Sequence, residues 1–158
     1  MKSVVVFYSL DGGTRKAAEK IAERLQADIV ELHPEKRIPS KGFFKYMIGG
    51  MQVKSGKKPA LKPYNFQKEA YDLVILGTPI WASGCTPAMN TFLSENDISD
   101  RKIAVLTSSA GGDGTQCLET MKKMLPHLVA SVCLMDERRS EPAENDRKLE
   151  NFLKILSQ

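Results

Sequence analysis

The sequence predicts a doubly wound α/β domain: a five-stranded parallel sheet in the order 2-1-3-4-5, with helices on both faces. Three observations predict it. Five short runs rich in apolar and β-branched residues recur at 3–8, 28–33, 71–77, 102–108 and 128–134. Continuous runs of this kind suit strands covered on both faces. Helical patterns fall between most of them, and strand–helix alternation implies a parallel sheet wrapped on two sides. A length of 158 residues suits one domain with a sizeable core.

The elements follow in order. SVVVFY (3–8) reads as a fully buried strand. Residues 14–26 read as an amphipathic helix, with Ala17, Ala18, Ile21, Ala22 and Leu25 on one face and Lys16, Glu19, Lys20 and Glu23 on the other. DIVELH (28–33) is a short strand closed by Pro34. A basic segment, 36–70, separates it from the third strand, with a short helix expected around Gly42–Ile48 and loop over 52–69. YDLVILG (71–77) and KIAVLTS (102–108) are buried strands, followed by helices at 87–95 and 115–125, the latter ended by Pro126. LVASVCL (128–134) is the last strand. A helix over 143–157 closes the domain with Leu149, Phe152, Leu153 and Leu156 on its apolar face.

Composition excludes several classes. No apolar stretch approaches the roughly 20 residues that span a membrane, so no membrane association is expected. Met1-Lys2-Ser3 runs straight into a strand pattern, which predicts no signal peptide. Three cysteines, Cys85, Cys117 and Cys133, are odd in number and widely spaced, with no Cys-x-x-Cys pair. They fit a reduced, cytoplasmic setting and no metal site. His33 and His127 have no metal-like neighbours, and no Ser-His-Asp arrangement stands out. Net charge is +4, yet residues 36–68 hold nine basic residues and no acid, leaving 14 basic against 19 acidic residues elsewhere, a net of −5. An acidic body thus carries one basic segment. Its lysines sit in a loop without a recognition motif, so no nucleic-acid partner is expected.

In a doubly wound sheet, ligands bind beyond the carboxyl ends of the strands, at the switch point. The loops after strands one, three and four converge there, and all three are rich in Gly, Ser and Thr. The first is Ser9-Leu10-Asp11-Gly12-Gly13-Thr14. Its hydroxyls, its glycine-bent backbone and the positive end of the following helix make an anion site suited to phosphate. It lacks the Gly-Lys-Ser/Thr of the nucleotide-triphosphate loop and the spacing of the dinucleotide fingerprint. A carboxylate about 5 Å from a phosphate costs roughly 3 kcal/mol at an effective dielectric of 20. The Asp11 side chain is therefore expected to point outward. The same loop also reads as a plain capped turn.

The second loop runs Thr78-Pro79-Ile80-Trp81-Ala82-Ser83-Gly84, with Cys85 as a small residue at the helix start and nothing beside it in sequence to lower its pKa except that helix start. Trp81 offers an indole to lie against a planar ring, or else a core side chain. The third, Ser108-Ser109-Ala110-Gly111-Gly112-Asp113, offers close backbone approach to the polar edge of a flat heterocycle, or a flexible connection capped by Asp113 or Thr115.

On these residues the whole chain resembles the flavodoxin family in its short form. Ser9 to Thr14 is similar to the family's phosphate loop, Ser/Thr-x-Thr/Ser-Gly-x-Thr, matching at Ser9, Gly12 and Thr14 and departing at Asp11. Gly77-Thr78-Pro79-Ile80-Trp81 resembles the loop that sets an aromatic against the flavin, and Ser108–Thr115 the loop at its pyrimidine edge. The basic GFFKYMIGG…KPALKPY segment resembles a bacterial and archaeal subgroup of flavodoxin-like proteins. The resemblance implies non-covalent FMN, with Ser9–Thr14 on the phosphate, Trp81 stacked, backbone near Ser83 and Gly84 at N5, and Asp113 lowering the potential. The family's chemistry resides in the cofactor, so no catalytic side chain is expected.

Two roles follow from it. One is an electron carrier serving a redox partner protein. The other is an FMN-dependent NAD(P)H or quinone reductase, in which the 36–68 segment covers the flavin, with Phe43, Phe44 and Tyr46 closing over it and its charge attracting a nucleotide. A monomer or homodimer suits either. A phosphotransfer receiver domain shares the strand order but needs an Asp at the end of strand three, where Gly77-Thr78-Pro79 stands.

Overall fold

The computed structural model describes residues 1–36, 51, 56–82, 84–111, 114–136 and 141–158. Its strands are β1 (Ser3–Phe7), β2 (Asp28–Glu31), β3 (Leu73–Pro79), β4 (Lys102–Ser109) and β5 (Leu128–Met135). They form one parallel sheet in the order β2-β1-β3-β4-β5. The helices are α1 (Gly13–Leu25), α2 (Pro87–Glu95), α3 (Thr115–Met124) and α4 (Pro142–Leu156), with a 3-10 turn at Lys68–Ala70.

Alternation along each strand splits the core in two. Val5, Phe7, Leu73, Ile75 and Leu106 face α1 and α4, meeting Ala18, Ile21, Leu149 and Phe152. Val4, Val6, Val74, Leu76 and Val105 face α2 and α3, meeting Ala88, Met89, Phe92 and Met121. Both faces of β1, β3 and β4 are thus covered, which is why these strands are apolar without alternation. Lys20–Asp146 and Arg24–Glu150 ion pairs join α1 to α4 at the surface. At the open edge, the Asn145 amide donates to the Met135 carbonyl and accepts from its N–H, closing the end of β5 against further pairing.

Most elements differ from the sequence expectation by a residue at an end, and β2 and β3 by two. β2 stops at Glu31 rather than residue 33 because the chain turns to pair elsewhere. Lys62 N–H donates to the His33 carbonyl (2.7 Å) and Glu35 N–H to the Ala60 carbonyl (2.9 Å), around an antiparallel bridge between Pro34 and Leu61. β3 starts at Leu73 and runs on to Pro79, paired with Ser108 of β4. Residues 57–67 are irregular apart from that bridge, as expected. Tyr64 and Phe66 pack on Phe92 and fasten this stretch over α2. The helix expected at 42–48, with Phe43, Phe44 and Tyr46, lies outside the described residues.

Candidate functional site

β1, β3 and β4 are neighbours in register, so their carboxyl ends form one rim. The first loop crosses it into α1. Gly12 takes φ 95° as the residue before the helix, in the left-handed region that glycine enters freely. The Ser9 hydroxyl accepts from the Gly12 amide (3.1 Å) and the Arg15 amide (3.3 Å), drawing the loop into a ring. The first-turn amides of Gly13 and Thr14 have no intrahelical partner by construction. The first turn of α1 carries no acid. A Cβ placed on Gly12 or Gly13 would meet nothing within 4 Å, so the loop stands open. Asp11 is exposed, and Leu10 leans on the α2–α3 core. The Arg15 guanidinium beside the loop pairs with Glu31 of β2.

The second loop is held from below. Thr78 is wholly buried, and its hydroxyl bonds that of Thr86 at 2.9 Å and accepts from the Thr86 amide. This closes the excursion between β3 and α2. At the tip, Trp81 and Gly84 exchange both backbone hydrogen bonds (3.0 and 2.8 Å), and Ala82 sits at φ 47°. A non-glycine residue there carries local strain. Trp81 is half-buried and stands edge-on to Tyr8, centroids 5.6 Å apart at 87°. Tyr8 was not among the sequence candidates. Its one signal was an aromatic at the end of β1. Burial, then the charge of Asp11, pushes its phenol up to about 12.

The third loop joins both others. Ser108 Oγ lies 2.7 Å from Thr14 Oγ1, and the Ser108 carbonyl accepts from the Ile80 amide at 2.8 Å. Pro79 and Ile80 are half-buried beside it. Ser109 is buried: its hydroxyl accepts from Gly111 N–H and its carbonyl from Asp136 N–H, which makes it a turn-shaping residue. Ala110 and Gly111 are exposed. Ser83, Gly112 and Asp113 lie outside the described residues. The three loops therefore meet. The groove between β5 and α4, lined by Val132, Lys148 and Phe152 among others, shares no residue with them. Among the described residues no cluster of His, Cys, Asp or Glu is set to hold a metal, and no helix is long and apolar enough to cross a membrane.

The features fit a phosphate-bearing flat ligand: an open glycine loop at a helix N-terminus, an aromatic turn and a serine–glycine loop on one rim. They define a doubly wound protein whose loops after β1, β3 and β4 gather at the switch point. The sequence model of the flavodoxin family matches residues 2–152, and the chain belongs to that family. No curated protein matches it in sequence. Solved structures agree in fold. A flavoprotein of Lactobacillus acidophilus NCFM in complex with FMN is 20% identical with a TM-score of 0.72, covering 96% of this chain and 97% of that one. A provisionally named flavoprotein of Bacteroides eggerthii DSM 20697 is 22% identical with a TM-score of 0.74 over 96% and 97%. An FMN-dependent NADH-azoreductase of Bacillus anthracis, also with FMN, is 11% identical with a TM-score of 0.56 over 99% and 98%.

Proposed function

We propose that the protein transfers electrons through FMN bound non-covalently at the rim. FMN is its cofactor, as membership of the flavodoxin family implies. The observation that carries the reading is the meeting of three loops through Ser108, which bonds Thr14 on one side and Ile80 on the other. The amides of Gly13 and Thr14, with Ser9 shaping the loop, hold the phosphate at the positive end of α1. Trp81 supplies the flat apolar wall. The backbone of Trp81, Ala82 and Gly84 and of Ser108–Gly111 meets the ring's polar atoms.

The bound flavin supplies the redox chemistry, and the chain's own groups bind, orient and tune it.

One observation favours the reductase variant of this reading. The segment between Glu35 and Ala60 leaves and returns at the same place, pinned by the Pro34–Leu61 bridge at the carboxyl end of β2. With its ends tied there, the basic segment is proposed to draw NAD(P)H or a quinone to the flavin. The experiment that separates the roles is stopped-flow mixing of the FMN-loaded protein with NADH and with NADPH. Fast direct bleaching of the flavin marks a reductase. Bleaching only when a partner reductase is added marks a carrier. Protein that stays colourless at saturating FMN overturns both.

A further inference from the structure

The sulfurs of Cys85 and Cys117 lie 2.9 Å apart, although 32 positions separate them in the chain. Cys85 ends the second rim loop, two residues before α2. Cys117 sits in the first turn of α3, just after the third loop. Both are free thiols. Closing from 2.9 Å to the roughly 2.05 Å of a disulfide takes a movement of under about 1 Å. The two thiols are not equivalent. Cys85 is half-buried, whereas Cys117 has no exposed surface. The hydrogen bond from Cys117 draws Cys85 below the ordinary thiol range, against the opposing effect of burial. The same contact, with burial, pushes Cys117 up. Cys85, the more accessible of the two, is thus the attacking sulfur and buried Cys117 the resolving thiol.

We propose that Cys85 and Cys117 are a peroxide-sensitive pair whose reversible disulfide clamps the second rim loop to the helix that follows the third. The Cys85 thiolate attacks one oxygen of hydrogen peroxide, the O–O bond breaks, and hydroxide leaves a sulfenic acid on Cys85. The Cys117 sulfur then attacks the Cys85 sulfur. The S–S bond forms, the S–O bond breaks, and the departing hydroxide takes the Cys117 proton as water. Two thiols and one peroxide give one disulfide and two waters, and a dithiol reductant reverses the bond. The step lies within the chain and requires no cofactor, so it stands independently of the FMN reading.

The test is mass spectrometry on the full chain after stoichiometric peroxide, with remaining thiols alkylated under denaturing conditions. Expected are a linked Cys85–Cys117 peptide and one alkylated thiol, Cys133. Dithiothreitol should return all three thiols, Cys133→Ser should form the same bond, and Cys117→Ser should stop at oxidised Cys85. A bond across 32 positions that fits the native geometry should raise Tm by roughly 10 °C in the oxidised form, reversibly. Three alkylatable thiols after treatment, a linkage through Cys133, over-oxidised Cys85 without a linkage, or an unchanged or lowered Tm would each overturn the clamp.

Discussion

Thr14 and Ser108 stand 94 positions apart in the chain, yet their hydroxyls lie 2.7 Å from each other at the carboxyl rim of the sheet. Thr14 opens the helix that follows the first strand, and Ser108 is the penultimate residue of the fourth. The contact joins the phosphate end of the proposed site to its third loop. Thr14 is 2% exposed and Ser108 half-buried, so the bond is partly shielded from water and contributes about 1 kcal/mol. A double-mutant cycle of Thr14→Val and Ser108→Ala, followed by urea unfolding, should show a coupling energy of that size. Strictly additive single effects would mean that the two loops are not joined through these hydroxyls.

In the proposed site the first loop takes the phosphate through amides and a helix end. Two charge-assisted hydrogen bonds and the helix end together give about 4 kcal/mol, or roughly 10³-fold in affinity. Titration should therefore find FMN bound about that much more tightly than riboflavin. Ser9→Ala removes the acceptor for the Gly12 and Arg15 amides, and should weaken FMN more than riboflavin. An equal loss for both ligands would detach Ser9 from the phosphate end.

Trp81 packs perpendicular to Tyr8 and is half-buried, and in the proposed site its indole stacks on the flavin. Trp81→Ala should weaken FMN by about 10- to 100-fold, the range of one aromatic stack, and raise the fluorescence of the bound flavin. Unchanged affinity and quenching would remove Trp81 from the site.

Two glycines precede rim helices in left-handed conformation, but their surroundings differ. Alanine at Gly114 (φ 70°) would bring its Cβ to 2.7 Å from Ile80 Cδ1 and 2.9 Å from Cys133 Sγ, while alanine at Gly12 (φ 95°) would meet nothing within 4 Å. Gly12→Ala should cost about 1–2 kcal/mol of stability from the backbone alone. Gly114→Ala adds overpacking between the second loop and β5 and should cost about 2–4 kcal/mol. Thermal or urea unfolding ranks the two, and the reverse order would contradict the packing described.

Burial first and the Asp11 charge second hold the Tyr8 phenol at about 12, against an ordinary value of 10.0. The folded value lies above the unfolded one, so the contribution is fully present below pH 10 and is lost as pH rises through 12. Its size is about 3 kcal/mol from the two-unit shift. Tyr64 and Tyr71 are also raised, so the comparison must be with Tyr8→Phe. That variant should flatten the alkaline decline in stability between pH 10 and 12. An unchanged decline would assign it to the other tyrosines.

Much of this molecule is legible in one dimension. Strands covered on both faces must be apolar throughout, so SVVVF, LVIL and IAVL announce the central sheet. Helices on one face of such a sheet must be amphipathic, as 14–25 and 143–156 are. The strand–helix rhythm then fixes the rim at which Ser9–Thr14, Thr78–Gly84 and the loop after Ser108 gather. Local signals of this kind arise from period and turn chemistry, and neighbours in sequence suffice to read them.

Sequence alone did not separate Thr78, Ser109 and Ser9, whose hydroxyls bond within the protein, from Gly13 at the open loop. It gave no sign that Tyr8 backs Trp81, that Pro34 pairs with Leu61, or that Cys85 meets Cys117. Each of these relationships joins residues far apart in the chain, and each is set by where the sheet register and helix packing bring distant backbones together. The chain's own order therefore determined the class of fold and the place of its ligand rim, because apolar period and glycine-rich turns are local properties. Which side chains face that rim, and which are consumed in holding it together, was decided only by tertiary packing, because a hydroxyl or thiol takes its role from the partner that folding sets beside it.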